Sequence, residues 1–177
     1  MKKIIIMLFL LLIVALGIGG SSIEEIMRMP SEMPKDFKFI IAYGHNAKNK
    51  IDTFKNEYTK DLVTEGSATC KITFTDDEIK KIYKEMQRIN IVNYPRDFRP
   101  PYKDNPEPRT TVRATPYSTY YFKVQVSDKV KEISWIDRNM SQASTAKQLH
   151  GLIRTIMEIV ETKEEYKKLP EPRGGYL

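Results

Sequence analysis

Thr119-Tyr120-Tyr121-Phe122-Lys123-Val124-Gln125-Val126, then Ser127-Asp128-Lys129, then Val130-Lys131-Glu132-Ile133-Ser134-Trp135-Ile136-Asp137 decides the fold class. Tyr120, Phe122, Val124 and Val126 fall on one side of an extended chain, with Tyr121, Lys123 and Gln125 on the other. A period of two is the mark of a half-buried strand. Ser127 to Lys129 turns the chain, and the return strand puts Ile133 and Trp135 on one face, so the stretch reads as an antiparallel hairpin. Trp135 reads as core, because its area is costly to leave in water.

The pattern extends upstream. Phe37, Phe39, Ile41 and Tyr43 alternate in a first strand. Residues 44–49 carry turn chemistry. Residues 51–58 read as a second strand, 61–66 as a turn and 68–74 as a third strand. Thr75 and Glu78 have capping-box spacing, and Asp76 and Asp77 suit the positive end of a helix. These acids therefore read as a cap rather than a metal site. Ile79, Ile82, Tyr83, Met86 and Ile89 recur at helical spacing behind them. A second helix follows the hairpin, capped by Ser144 or Thr145, with a stripe of Leu149, Ile153, Ile156 and Val160 broadened by Leu152 and Met157. It continues helical past Thr162 until Pro170 stops it. His150 reads as a boundary residue rather than a ligand. The order strands, helix, strands, helix predicts an α+β domain: a mainly antiparallel sheet with two amphipathic helices packed on one face.

An N-terminal apolar segment precedes this domain. Lys2 and Lys3 are followed by a run from Ile4 to Leu16 with no polar side chain, then by Gly17 to Ser22. The apolar run is about 15 residues against about 20 for a comfortable span. Residues 1–20 thus read as a signal peptide or, uncleaved, as a short transmembrane helix anchoring the N-terminus. Residues 21–36 read as a tether and 37–177 as one domain. The expected location is extracytoplasmic, secreted or anchored by the N-terminus. Membrane contact is expected through that segment alone.

Setting Lys2 and Lys3 aside leaves 27 basic residues against 23 acidic ones, a net charge of +4. That suits anionic lipid heads or cell-wall polymers and falls well short of a nucleic-acid footprint. The single cysteine, Cys70, cannot form an internal disulfide. It shares the face of Ile72 and Phe74 and reads as a small buried hydrophobe. Neither a cofactor nor a metal is expected, and the chain reads as a monomer.

Three blocks resemble a group of small exported proteins of Bacillus-type Gram-positive bacteria. They are Asn56-Glu57-Tyr58-Thr59-Lys60-Asp61-Leu62-Val63, Phe74-Thr75-Asp76-Asp77-Glu78-Ile79-Lys80-Lys81-Ile82-Tyr83 and Glu164-Glu165-Tyr166-Lys167-Lys168-Leu169-Pro170-Glu171-Pro172. The resemblance spans residues 37–177. It implies export and a single domain, and it carries no catalytic or binding residues across. Relatives of this kind include proteins with a lipobox cysteine, where this chain has Gly19-Gly20-Ser21-Ser22.

Six of the ten prolines fall between Pro95 and Pro116, among several basic residues. A long irregular stretch inside a compact domain is more often functional or disordered than merely connecting. Arg96, Arg99, Tyr102, Arg109 and Arg113 are the candidate binding residues, for an envelope protein or an anionic cell-wall polymer. The leading reading is a non-catalytic binding module of the cell envelope. An inhibitor or immunity-type protein is the alternative. A hydrolase would have to draw on His45, Asp52 and Asp61 in the early loops, where turn hydrogen bonding accounts for the acids better.

Overall fold

The computed structural model describes residues 28–100, 116–138 and 143–176. Six strands form one sheet: β1 (Lys38–Tyr43), β2 (Asn49–Asp52), β3 (Glu57–Val63), β4 (Gly66–Lys71), β5 (Ser118–Val126) and β6 (Lys129–Asp137). Their order is β4-β3-β2-β1-β5-β6, and every neighbouring pair is antiparallel. Two long helices, α1 (Asp76–Arg88) and α2 (Ser144–Val160), and a short one, α3 (Glu164–Lys167), complete a mixed α+β fold.

The hairpin of β5 and β6 pairs Tyr120 with Trp135 and Phe122 with Ile133. Phe122 continues the row to Ile41 of β1, Ile51 of β2, Tyr58 of β3 and Cys70 of β4. Because side chains alternate along a strand, the register puts all of these on one face. Phe39, Ile41, Ile51, Phe122 and Ile133 are fully buried there, each contributing roughly 1.5–3 kcal/mol by leaving water. Helix α2 meets this face where Tyr43 donates to the sulfur of Met157 at 2.9 Å, and again at Tyr120 and His150. Helix α3 meets it through Tyr166 against Tyr58.

Helix α1 begins as its sequence dictates. Thr75 Oγ1 accepts from the Glu78 N–H, and the Thr75 N–H donates to the Glu78 carboxylate. Helix α2 differs from expectation at its start. Ala143 is its N-cap, no side chain caps it, and Thr145 Oγ1 is buried without a partner among the described residues.

The expected second strand is two strands. Asp52 Oδ1 accepts from the N–H groups of Phe54 and Lys55, and Asn56 takes φ +53°, so the chain reverses between Ile51 and Tyr58. The expected turn over 61–66 shrinks accordingly: Asp61 belongs to β3, and Thr64 and Glu65 alone make the reversal.

The expectation of a transmembrane helix is corrected: among the described residues, no helix is long and apolar enough to cross a membrane. The apolar run of residues 4–18 lies outside the described residues. Residues 28–36, assigned to the tether, lie against α1. Met29 is buried, and Tyr83 and Gln87 both donate to the Pro30 carbonyl.

Candidate functional site

Three regions carry side chains with chemical potential. The first is the sheet face opposite the one that α2 and α3 contact. Asp97 forms a parallel bridge to Ser134, which adds residues 96–98 to the outer edge of β6. The Phe98 N–H donates to the Ser134 carbonyl and the Ser134 N–H to the Arg96 carbonyl. Phe98 packs edge-on against Trp135. Arg96 points to the other side, 80% exposed, with its guanidinium 3.8 Å from Glu132. Glu132 also accepts from the Tyr121 hydroxyl at 2.9 Å. Opposite Glu132 on β5 is Lys123, and opposite Lys123 on β1 is Ile40. The ammonium groups of Lys38 and Lys123 each stand 5.7 Å from the centre of the Phe54 ring. Neither lysine forms an ion pair among the described residues. Val130 and Ile136 stand about half exposed on the same face.

Of the predicted binding residues, Arg96 and Arg99 are exposed beside the β6 edge. Tyr102, Arg109 and Arg113 lie outside the described residues.

The second region gathers His150, Tyr120, Trp135 and Asp137. Tyr120 stacks on Trp135 at 4.7 Å between ring centres, and His150 lies 4.9 Å from the same indole. His150 Nε2 is 3.1 Å from the Tyr120 hydroxyl and 3.8 Å from the Asp137 carboxylate. A triad uses the two imidazole nitrogens for different partners. Here hydroxyl and carboxylate share one nitrogen, so the acid does not orient the ring for proton abstraction. Burial pushes the imidazole pKa down, with Asp137 opposing, and burial pushes the Tyr120 hydroxyl up. Histidine and phenol thus both favour their neutral forms. The boundary reading of His150 missed this aromatic contact; the signal was its helical alignment with the buried stripe of α2.

The third region is built on the early loops. Asp52 is absorbed by the turn it caps. His45 and Asp61 converge on one residue of the C-terminal tail, Tyr176; the sequence offered that tail as a binding segment but did not link it to the early loops. The Tyr176 hydroxyl donates to both Asp61 oxygens, at 2.7 and 2.9 Å. Lys48 Nζ donates to the same hydroxyl at 2.8 Å, an arrangement that raises the Lys48 pKa. The His45 ring stacks on the phenol at 3.8 Å, tilted by 23°. Asp61 is buried, and its Oδ1 also accepts from the Val63 N–H.

Cys70 is half-buried, and burial pushes its thiol pKa up, which disfavours the reactive thiolate. Among the described residues, no three histidine, cysteine or acidic side chains are grouped to hold a metal ion.

The class defined by these observations is an α+β domain with a six-stranded antiparallel sheet and helices packed against it. No protein-family model matches the chain, and no curated protein matches it.

Proposed function

We propose that this chain is a non-catalytic binding module working outside the cytoplasmic membrane, where it captures an anionic polymer of the cell envelope. The export half of the reading rests on Lys2, Lys3 and the apolar run behind them. The binding half rests on one observation: among the described residues Lys38 and Lys123 stand without carboxylate partners over the Phe54 ring, on the face where Arg96 is exposed. Cations without an ion pair to break lose little when a flexible polyanion lies across them. Arg99, exposed like Arg96 just past the β6 edge, adds to the same charge.

The test is sedimentation or calorimetric titration of the full chain with a poly(glycerol phosphate) polymer over a range of salt. Binding is expected to weaken as salt rises, since released counterions drive it. Lys38→Glu with Lys123→Glu is expected to reduce affinity by about tenfold or more, as two attractive contacts become repulsive. Equal affinity for wild type and the double variant overturns the assignment of this face.

A further inference from the structure

We infer that His45, Lys48 and Asp61 form a binding site for a tyrosyl phenol, and that the chain's own tail closes it in cis through Tyr176. It rests on other residues than the polymer-binding reading does.

The argument begins at β3. Lys60 shares the helix-packed face with Tyr58, so the next residue, Asp61, alternates to the opposite face. Asp61 is 6% exposed there. A carboxylate at that depth needs donors. It has the Val63 N–H and the phenol hydroxyl. The β1–β2 turn supplies the rest of the recess. His45 offers a ring face, and Lys48 places its ammonium 4.7 Å from the centre of the Tyr176 ring. Acceptor, cation and stacked ring each match a different property of a phenol: its proton, its negatively polarised oxygen and face, and its flat apolar body. Phenylalanine would satisfy only the last two of these surfaces, and a carboxylate-bearing side chain would be repelled by Asp61.

The phenol arrives on a strap. The Arg173 N–H donates to the Leu62 carbonyl, and the Thr64 N–H donates to the Arg173 carbonyl. Gly174 then turns at φ +84°. A tethered ligand of this kind acts at a high effective concentration, so a free phenol competes poorly while the tail is seated. The site becomes available to a tyrosine of another peptide when the tail leaves.

The experiment uses the full chain. Tyr176→Ala deletes the phenol, and 4-methylphenol, the side chain removed, is titrated against it while the His45 imidazole is followed by NMR. Saturable binding to Tyr176→Ala is expected, with at least about tenfold weaker binding to wild type. Tyr176→Ala combined with Asp61→Asn is expected to bind at least about tenfold more weakly than Tyr176→Ala alone, through loss of the charged acceptor. Circular dichroism and Trp135 fluorescence report that the fold is kept. A folded Tyr176→Ala protein that binds 4-methylphenol no better than wild type overturns the proposal. If Tyr176→Ala unfolds, Gly174→Ala, which displaces the tail and keeps the tyrosine, carries the same comparison. Unfolding of both variants would make the tail a fold-completing segment and would also overturn it.

Discussion

Lys60 and Asp61 are neighbours on β3 and hold the same C-terminal tail from opposite faces of the sheet, Lys60 through Glu171 at 3.0 Å and Asp61 through Tyr176 at 2.7 and 2.9 Å. The two attachments differ in kind. Glu171 is 87% exposed and Lys60 only 7% exposed, so the pair is screened from one side, and without Glu171 the ammonium still has the Tyr166 ring 5.1 Å away; the pair is worth about 1 kcal/mol. Tyr176 supplies a proton to a buried carboxylate, and its loss leaves that carboxylate short of a donor at about 1–3 kcal/mol. Tyr176→Phe is therefore expected to lower the midpoint of thermal unfolding by several degrees, and Glu171→Ala by less. Equal shifts would show that the tail is held by its exposed charge instead.

The turn that carries Tyr176 into place tolerates no side chain. Gly174 sits at φ +84°, and a Cβ there would lie 2.8 Å from Thr64 Cγ2. Gly174→Ala is expected to cost about 1–2 kcal/mol from backbone strain and the contact together. Adding Thr64→Ser removes the methyl group but keeps a hydroxyl to donate to the Arg173 carbonyl. Denaturant midpoints of the single and double variants should then show partial recovery. Full recovery would remove backbone strain from the account, and no recovery would remove the contact.

Much of the architecture was legible because alternation and capping are local. Tyr120 to Val126 and the Thr75–Glu78 pair announce a strand and a helix start with no tertiary information. Asp52 was harder. Its role as a turn residue depends on where its carboxylate points, and the apolar residues on either side, Ile51 and Phe54, masked the reversal. The third region was legible only in part. His45 and Asp61 could be named from the early loops, but Tyr176 lies 115 residues beyond Asp61, and no spacing rule links a tail to a strand at that distance. His150 was hidden in another way. Helical periodicity places it next to a buried stripe, while its contacts with Trp135 and Tyr120 depend on how α2 is rotated against the sheet.

Glu78 joins two elements that sequence reasoning treated separately. Besides capping α1, it accepts from Lys163 at 2.6 and 2.8 Å in the link between α2 and α3. Burial raises the Glu78 pKa, but the bonds from Lys163 and Thr75 outweigh it, and the net shift is downward from 4.5. A carboxylate with a depressed folded pKa stabilises fully above its unfolded value and loses that contribution as pH falls through the folded value. Glu78→Gln is expected to be about 1 kcal/mol less stable than wild type at pH 7. The gap should close as pH falls from near 4.5 to below the folded pKa. A gap that persists in acid would mean that the side chain's shape, not its charge, holds α1 to the later helices.

The single tryptophan gives a direct optical report on His150. A protonated imidazole quenches a neighbouring indole, and the two rings are 4.9 Å apart. Burial holds the His150 pKa below 6.5, and the Asp137 carboxylate only partly offsets this. The unfolded chain consequently takes up its proton first as pH falls, so the folded protein loses stability from about 6.5 down through the folded pKa. Fluorescence of the native protein is expected to fall in one step with a midpoint below 6.5. His150→Gln should remove that step and flatten the stability loss over the same interval, while His45→Gln should leave both in place. A step that survives His150→Gln would show that another group titrates against Trp135, and a midpoint above 6.5 would show that the Asp137 charge outweighs burial.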